Sequence, residues 1–321
     1  MGKRILITGA SGFAGSHLLD HLVAHYSDNI LFGTYYTEKG LENLDAQKNK
    51  VELVKVDLKD EKETAELIKK IMPDTIYHLA AFTSPADSFI SPNETVINNI
   101  SSQINLFEAI RKNNLTDSRI LITSSAEVYG DVKKEDLPMD EDTPLNPTNP
   151  YAVSKLTQDF LGKQYFSSYE LKIIRVRPFN HIGPRQSPNF VVPSFAKKIA
   201  EIEKGKIKPV LPVGNLESKR DFTDVRDMVR AYALLAEKGV PGEVYNIGSG
   251  VSYKISDILD KLLSFSSVKI TTETDKALLR PNDNPELVCD ISKIKALTGW
   301  QPEIPIEKTL KDTLDYWRDI I

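Results

Sequence analysis

Short apolar runs alternate with amphipathic segments through the first 125 residues of this 321-residue chain. The apolar runs are typical of buried parallel strands, and segments with apolar residues every three or four positions are typical of helices. The predicted strands are Arg4–Thr8, Ile30–Tyr35, Val51–Val56, Thr75–Leu79 and Arg119–Thr123, and the predicted helices are Phe13–His25, Glu61–Ile71 and Glu94–Arg111. Because strands that alternate with helices form parallel sheets covered on both faces, the sequence predicts a doubly wound α/β fold.

The pattern changes after Arg177. Before that point, a polar, proline-containing loop at 136–150 leads into a predicted helix at 151–169 and a strand at 171–176. Beyond it, prolines and glycines separate shorter elements, which indicates a second, smaller α/β domain. We expect the first domain to span residues 1–177 and the second to span 178–321, with residues 225–250 rejoining the first.

The composition excludes several classes of protein. Lysine plus arginine is 41 and aspartate plus glutamate is 45, so the net charge is −4, whereas nucleic-acid-binding proteins usually carry a basic surplus. The single cysteine, Cys289, cannot form an internal disulfide and indicates a reducing compartment. No run approaches the roughly 18 apolar residues that span a bilayer. We therefore expect a cytoplasmic protein with no nucleic-acid or membrane partner.

Three histidines recur at helical spacing in the first predicted helix. His17, His21 and His25 share a face, but no carboxylate or further histidine joins them in the pattern. We interpret this face as a helix flank near solvent, and we expect no metal site.

A glycine-rich turn separates the first predicted strand from the first predicted helix. Its sequence is Gly9-Ala10-Ser11-Gly12-Phe13-Ala14-Gly15. Glycines at such a point let the backbone turn sharply and approach a pyrophosphate closely. The helix that follows directs its free N–H groups and the positive end of its dipole at the phosphates. This context predicts a Rossmann-type dinucleotide site.

The end of the second predicted strand bears on which dinucleotide binds. NAD-binding sites commonly place an acidic residue there for the ribose 2′-hydroxyl. Here the stretch is Gly33-Thr34-Tyr35-Tyr36-Thr37, and the first acid is Glu38. The absence of an acid slightly favours NADP, but no arginine stands there either, so NAD stays open. Asp57, after the third predicted strand, is a candidate contact for the adenine edge.

Three further side chains suit hydride chemistry. Tyr151 and Lys155 are four residues apart on a predicted helix, so they share a face, and Ser125 follows a predicted strand at the edge where ligands gather. The tyrosine hydroxyl would exchange a proton with a substrate oxygen, while the serine hydroxyl would orient that oxygen. We expect a nearby ammonium together with an oxidised nicotinamide to lower the tyrosine pKa from about 10 to ~7.

These segments resemble the extended short-chain dehydrogenases/reductases, the NAD-dependent epimerases/dehydratases. The glycine turn, His78-Leu79-Ala80-Ala81, the Ser-Ser-Ala-Glu-Val-Tyr-Gly stretch at 124–130 and Tyr151-Ala152-Val153-Ser154-Lys155 carry the resemblance over nearly the full length. It implies Ser125, Tyr151 and Lys155 as the catalytic triad, with Lys155 also a ribose ligand and Asn99 a support for the active-site sheet. The cofactor contacts that it implies are Gly9, Ser11, Gly12, Phe13, Ala14, Gly15, Asp57, Leu58, Leu79, Ala80, Ala81, Asn99, Tyr151, Lys155 and Phe179.

The second half is similar to family members that act on nucleotide sugars. The stretches at 177–184, 213–217 and 220–227 carry this likeness, which is strongest to reductases and 4,6-dehydratases of GDP-linked mannose derivatives. It implies that residues 178–321 bind a GDP-linked hexose through Asn180, Val191, Asn215, Arg220 and Arg280. Arginine pairs bidentately with phosphate, which fits that assignment. The helices predicted at 94–111 and 151–169 resemble the family's dimer bundle, so we expect a homodimer.

The residues after Ser125 favour a reductase. A 4,6-dehydratase needs a base, for which Glu127 is the candidate, and also an acid, which the preceding Ala126 cannot supply. A reductase needs only hydride delivery and one proton from Tyr151. We therefore expect reduction of the 4-keto group of GDP-4-dehydro-6-deoxy-mannose, which forms GDP-rhamnose. GDP-mannose 4,6-dehydration, nucleotide-sugar 4-epimerisation and a non-catalytic NAD(P) sensor stay as alternatives.

Overall fold

The computed structural model describes residues 2–278 and 284–321. Its first half alternates strands and helices as the apolar pattern predicts. The elements are β1 Arg4–Thr8, α1 Phe13–His25, β2 Ile30–Tyr35, β3 Val51–Lys55, α2 Glu61–Ile71, β4 Thr75–His78, α3 Pro85–Ile90, α4 Pro92–Lys112, β5 Arg119–Thr123, α5 Pro150–Tyr169 and β6 Lys172–Pro178. The short helix α3 is the one that the periodicity does not predict, because six residues are too few to show a helical repeat.

The second half contains shorter elements. They are β7 Asn180–Ile182, α6 Val191–Glu203, β8 Val210–Val213, β9 Lys219–Asp224, α7 Val225–Lys238, β10 Val244–Ile247, β11 Ser252–Lys254, α8 Ile255–Ser264, β12 Thr271–Thr274, α9 Ser292–Thr298 and α10 Ile306–Ile320. Single turns of 3-10 helix occur at Leu41–Leu44, Ala126–Tyr129, Lys134–Asp136 and Lys276–Leu278. Within the described ranges, no helix is long and apolar enough to cross a bilayer.

The large sheet has the strand order β10-β6-β5-β4-β1-β2-β3, and all of its pairs are parallel. In its register, Ile7 of β1 lies beside Gly33 on one side and Tyr77 on the other. Helices α1 and α7 pack on one face, whereas α2, α4 and α5 cover the opposite face. The predicted doubly wound, Rossmann-type α/β fold is therefore confirmed.

The chain passes more than once between the large sheet with its helices and a smaller part formed by the later elements. After α7, strand β10 extends the large sheet beside β6, with Val244 opposite Arg175. The remaining strands form a three-stranded sheet, β11-β9-β7, and a two-stranded sheet, β12-β8. Helices α6, α8 and α10 pack together over this smaller part around Phe195, Leu259 and Leu314.

Two ion pairs anchor helix α5 to the sheet beside it. The Asp159 carboxylate, which has no exposed surface, accepts hydrogen bonds from Arg175 at 2.5 Å and from Arg177 at 2.8 Å. A buried charge is tolerated when it is paired in this way, and removal of one partner is costly. The helix that carries Tyr151 and Lys155 is thereby fixed against β6.

Candidate active site

The glycine turn has the tight geometry that its sequence predicts. Gly9 follows β1 with φ of 70°, a conformation that side chains disfavour. A Cβ at Gly9 would lie 2.9 Å from Cα of Ala80, and one at Gly15 would lie 2.2 Å from the carbonyl oxygen of Gly9. Residues with side chains are therefore excluded from both positions, so the backbone of this turn stays open to a ligand.

The N-terminus of α1 opens onto this turn. Gly12 caps the helix and supplies no side-chain hydrogen bond, so the first helical N–H groups stay available to an anion. A pyrophosphate at a helix N-terminus is held by these N–H groups and by the helix dipole. The cradle around Gly9, Gly12 and Gly15 therefore fits a nicotinamide dinucleotide, with Ser11, Phe13 and Ala14 alongside.

Thr8 aligns a second segment with the turn. Its hydroxyl accepts hydrogen bonds from the N–H groups of Leu79 and Ala80, both at 3.2 Å, and lies 2.9 Å from Nδ1 of His78. Because both lone pairs of the hydroxyl oxygen accept hydrogen bonds from these N–H groups, the hydroxyl donates its proton to the histidine ring. Residues 79–81 follow β4 and are half-buried, beside the glycine turn. This role of Thr8 has no signal in the sequence, because its hydrogen bonds join residues about 70 apart.

The residues expected to lie near the adenosine are those at the end of β2 and just after β3. Strand β2 ends at Tyr35 without an acid, and Glu38 is paired with Lys55 at 3.0 Å. Asp57 is half-buried and accepts a hydrogen bond from the N–H of Lys59 at 3.0 Å. This arrangement accommodates NADP or NAD, as the sequence indicates.

Ser125 and Tyr151 meet at the carboxyl end of the sheet. Ser125 follows β5 and caps the 3-10 turn at 126–129, where its hydroxyl accepts a hydrogen bond from the N–H of Glu127 at 3.2 Å. The same side chain lies close enough to Tyr151, in the first turn of α5, to lower the pKa of the phenol. Only 8% of Ser125 and 7% of Tyr151 is exposed. The pair is thus largely shielded from water, where hydrogen bonds are strong.

Lys155 lies one turn further along α5. Its ammonium donates a hydrogen bond to the carbonyl oxygen of Thr123 at 2.8 Å, and its side chain is almost fully buried. Burial lowers the pKa of Lys155 from 10.5 to about 7. The amine is therefore close to losing its proton at neutral pH.

In the protein itself the pKa of Tyr151 is raised, and the lowering expected with an oxidised nicotinamide stays a prediction. Burial raises the pKa of Tyr151, Ser125 lowers it in part, and Glu127 raises it further. The ammonium of Lys155 is hydrogen-bonded to Thr123 and not to the phenol. Tyr151 therefore keeps its proton at neutral pH.

Asn149 connects Glu127 to the helix of the predicted triad. Its side-chain oxygen caps α5 by accepting a hydrogen bond from the N–H of Ala152 at 2.8 Å. Its side-chain nitrogen donates to Oε2 of Glu127 at 3.1 Å. One residue thus orients the Glu127 carboxylate and starts the helix that carries Tyr151. The Asn-Pro-Tyr stretch is a recognisable helix start, but the bond to Glu127 has no signal in the sequence.

Asn99 is placed as the support that the resemblance implies. Its side chain is fully buried, accepts a hydrogen bond from the N–H of Phe82 at 2.8 Å, and donates to Ser154 at 2.9 Å. Its direct contact with a cofactor stays a prediction. The residue holds α4 against α5.

Two other expected cofactor contacts are also buried. Phe179 is 2% exposed and packs among Val128, Tyr129 and their neighbours, and its contact with a dinucleotide stays a prediction. Leu58 is 6% exposed, with its side chain in the core under α2. The sequence pattern locates these positions near the site but does not show which way their side chains point.

Four of the five candidate nucleotide-sugar residues lie on the smaller part of the structure. Asn180 is exposed at the start of β7, Val191 is exposed at the start of α6, and Asn215 is exposed after β8. Arg220 is half-buried in β9 and donates a hydrogen bond to the carbonyl oxygen of Asn284 at 2.7 Å. Arg280 falls outside the described residues.

The expected solvent-facing position of His17 is wrong. Only 7% of its surface is exposed, and Nε2 lies 2.9 Å from the carbonyl oxygen of Pro184. His25, at the end of the same face, is exposed as expected. In the part of the chain that the structure describes, no group of three or more histidine, cysteine or acidic residues could hold a metal ion.

The doubly wound sheet, the glycine turn and the buried Ser125, Tyr151 and Lys155 define an NAD(P)-dependent enzyme of the extended short-chain dehydrogenase/reductase type. The family model described as GDP-mannose 4,6 dehydratase matches residues 6–313. The chain therefore belongs to the GDP-mannose 4,6 dehydratase family.

The chain is similar to a reductase and to an epimerase that act on nucleotide sugars. The GDP-6-deoxy-D-mannose reductase of Pseudomonas aeruginosa is 32% identical over 317 residues, which cover 99% of this chain and 98% of the reductase. The structure of RMD from Pseudomonas aeruginosa complexed with NADPH matches with a TM-score of 0.86 and 31% identity, covering 99% of this chain and all of that one. The UDP-glucose 4-epimerase of Thermotoga maritima with UDP-glucose also matches with a TM-score of 0.86, at 27% identity over 98% of this chain and 99% of the epimerase.

Proposed function

We propose that this protein reduces the 4-keto group of GDP-4-dehydro-6-deoxy-mannose with NADPH and thereby forms GDP-rhamnose. The observation that carries the proposal is the pair of buried, neighbouring side chains Ser125 and Tyr151 at the carboxyl end of a sheet whose glycine turn fits a dinucleotide. The likeness to the Pseudomonas reductase over almost the entire length of both chains supports this substrate. The non-catalytic sensor interpretation has no comparable support, because the relatives are enzymes and the chain retains all three triad side chains.

In the proposed mechanism, Tyr151 is the acid. When bound, the reduced nicotinamide would supply a hydride for the carbonyl carbon. Tyr151 gives its proton to the carbonyl oxygen, and the raised pKa of the phenol ensures that this proton is present at neutral pH. The hydroxyl of Ser125 would hydrogen-bond the same oxygen and orient it.

Lys155 is proposed to hold the nicotinamide ribose next to the tyrosine. The pyrophosphate would lie on the N–H groups of residues 11–15, and the adenine edge would meet Asp57 and the backbone of Leu58. Leu79, Ala80 and Ala81 would contact the nicotinamide half, and Asn99 would position the helices around it.

The nucleotide sugar is proposed to bind on the smaller part of the structure. There Asn180, Val191 and Asn215 are exposed to a ligand, and the Arg220 guanidinium offers the planar fork that pairs with phosphate. Arg280 is proposed as a second phosphate ligand. In this arrangement, residues 1–177 with 225–250 bind the dinucleotide and the rest of 178–321 binds the sugar substrate.

Glu127 keeps a dehydratase as the second candidate function. Its carboxylate is held by Asn149 and lies close enough to Tyr151 to raise the phenol pKa, which supports it as the candidate base at sugar carbon 5. Expulsion of the hydroxyl at carbon 6 also needs an acid, and Ala126 in the adjacent position has none. A 4-epimerase, which needs neither group, is the third candidate.

Two parallel incubations test the assignment. The protein would be mixed with GDP-4-dehydro-6-deoxy-mannose and NADPH in one, and with GDP-mannose and NADP⁺ in the other. Loss of NADPH absorbance in the first, with no keto sugar formed in the second, is the expected outcome. A keto sugar in the second incubation would assign the dehydratase reaction instead, and interconversion of GDP-hexoses without net NADPH consumption would assign the epimerase.

We also propose that the protein is a cytoplasmic homodimer. Helices α4 and α5 pack side by side and expose apolar side chains, with Ile97 at 49%, Val153 at 44% and Phe160 at 52%. An apolar surface spread over two adjacent helices is typical of an interface between subunits. Phe160→Asp should give a monomer in light scattering, whereas a similar change at the exposed Lys163 should not alter the mass.

A further inference from the structure

A short segment connects the proposed sugar-binding part to the first helix. We call residues 181–186 the bracket. It follows Asn180 in β7 and precedes α6, which begins at Val191. Both flanking residues are candidate contacts for the nucleotide sugar, so the position of the bracket affects that site directly.

The bracket contacts α1 at three places. The ring of His181 stacks on the ring of Phe13 with a centroid distance of 5.7 Å and an interplanar angle of 5°. The carbonyl oxygen of Pro184 lies 2.9 Å from Nε2 of His17, so the histidine donates that bond. Arg185 pairs with Asp20 at 2.6 Å.

The three partners lie along one face of α1. Phe13, His17 and Asp20 occupy positions i, i+4 and i+7, which a helix brings into line. The first of them is the first residue of α1, and its N–H lies at the turn that fits the pyrophosphate. The bracket is thus attached to α1, the helix whose N-terminus would bind the dinucleotide. The first of these attachments is at Phe13, where the pyrophosphate would lie.

The bracket is also internally braced. His181 donates from Nδ1 to the carbonyl oxygen of Phe179 at 3.1 Å, and the side chain of Gln186 donates to the carbonyl oxygen of His181 at 3.0 Å. A Cβ at Gly183 would lie 2.8 Å from the side chain of Val225, so this part of the bracket sits closely against the start of α7. These contacts hold the two ends of the bracket together and against the start of α7.

We infer that Phe13 and His181 are positioning residues through which dinucleotide binding and nucleotide-sugar binding strengthen each other. A dinucleotide fixes the turn and the start of α1, the ring of Phe13 then holds His181, and the neighbouring Asn180 is set for the second ligand. Coupling of this kind is reciprocal, so each ligand must change the affinity of the other by the same factor. The inference rests on the proposed function, which identifies the second ligand as a nucleoside diphosphate sugar.

Calorimetric titration with GDP measures this coupling without catalysis. The Kd of GDP would be determined with and without saturating NADP⁺ for the wild type and the variants. In the wild type we expect NADP⁺ to tighten GDP binding about fivefold or more. His181→Ala should bring this ratio close to one, and His181→Phe, which restores a stacking ring, should restore it. His25→Ala, on an exposed position of the same helix, is the control and should keep the wild-type ratio.

Three results would overturn the inference: a wild-type ratio of one, an unchanged ratio in His181→Ala, or a ratio lost equally in His25→Ala. If His181→Ala does not fold, Phe13→Leu removes the stack from the other side and must also bring the ratio close to one. If GDP does not bind at all, the guanine assignment in the proposed function is wrong. The ratio is then measured with UDP and dTDP, so the two failures are distinguishable.

Discussion

Replacement of Lys155 by methionine should abolish activity and yet stabilise the fold at neutral pH. Only 2% of the lysine surface is exposed, and burial lowers its pKa to about 7. Methionine fills a similar volume without a charge, so the variant avoids the cost of burying an ammonium. The lost bond to the carbonyl of Thr123 offsets only about 1 kcal/mol of this gain.

The size of the effect follows from the pKa difference between the two states. Lys155 holds fewer protons in the folded than in the unfolded protein between pH 7 and pH 10.5, so its contribution to the free energy of unfolding rises with pH across that window. The penalty in the wild type is about 4 kcal/mol at pH 7 and falls by about 2 kcal/mol by pH 9. The advantage of the variant should therefore shrink by the same amount over these two pH units.

Urea unfolding followed by tryptophan fluorescence provides the measurement, because Trp300 and Trp317 are both buried. Wild type, Lys155→Met and the control Lys163→Met, an exposed position on the same helix, would be compared at pH 7, 8 and 9. A variant less stable than the wild type at pH 7, or a stability difference that is constant from pH 7 to pH 9, would refute the reasoning.

Three further substitutions test other parts of the site. Tyr151→Phe should lower turnover by more than about 10²-fold while nucleotide-sugar binding persists in calorimetry, because only the proton donor is lost; retained activity would show that another group is the acid. Asp159→Ala should lower the free energy of unfolding by about 3–5 kcal/mol, because it leaves two buried arginines without a carboxylate partner. A loss under about 1 kcal/mol in urea unfolding would contradict this. Asn149→Ser keeps a helix cap but loses the bond to Glu127, so the free energy of unfolding should change little. The kcat of the reductase reaction should also be unchanged, because Glu127 is the candidate base of the dehydratase reaction only. A large loss of kcat would show that the carboxylate has a role in reduction.

The architecture could be predicted because its signals are local. The bounds of β1, α1, β2 and α2 agree with the sequence prediction residue for residue. Glycines, helix caps and apolar periodicity act within a few residues of where they stand, so a single sequence is enough to locate them. Pro150 likewise begins α5, one residue before the predicted start, because proline loses nothing at the first helical position.

The sequence could predict which residues lie near the site but not the directions in which their side chains point. Whether Lys155 faces Tyr151 or Thr123, and whether Asn99 faces a ligand or a neighbouring helix, depends on contacts across the fold. The bond from Asn99 to Ser154 joins residues 55 apart, and the contact from His17 to Pro184 joins residues 167 apart. Neither leaves a periodic trace in the sequence, which is why the solvent-facing interpretation of His17 was wrong.

The most direct test of the central claim follows deuterium from NADPH into the product. The protein would be incubated with GDP-4-dehydro-6-deoxy-mannose and NADPH labelled at both hydrogens of nicotinamide carbon 4, and the sugar would be examined by NMR. We predict one deuterium at sugar carbon 4, one NADPH consumed for each sugar reduced, and no transfer with Tyr151→Phe. A product without deuterium at carbon 4, or equal transfer by the variant, would contradict proton relay by Tyr151 during reduction of a sugar ketone.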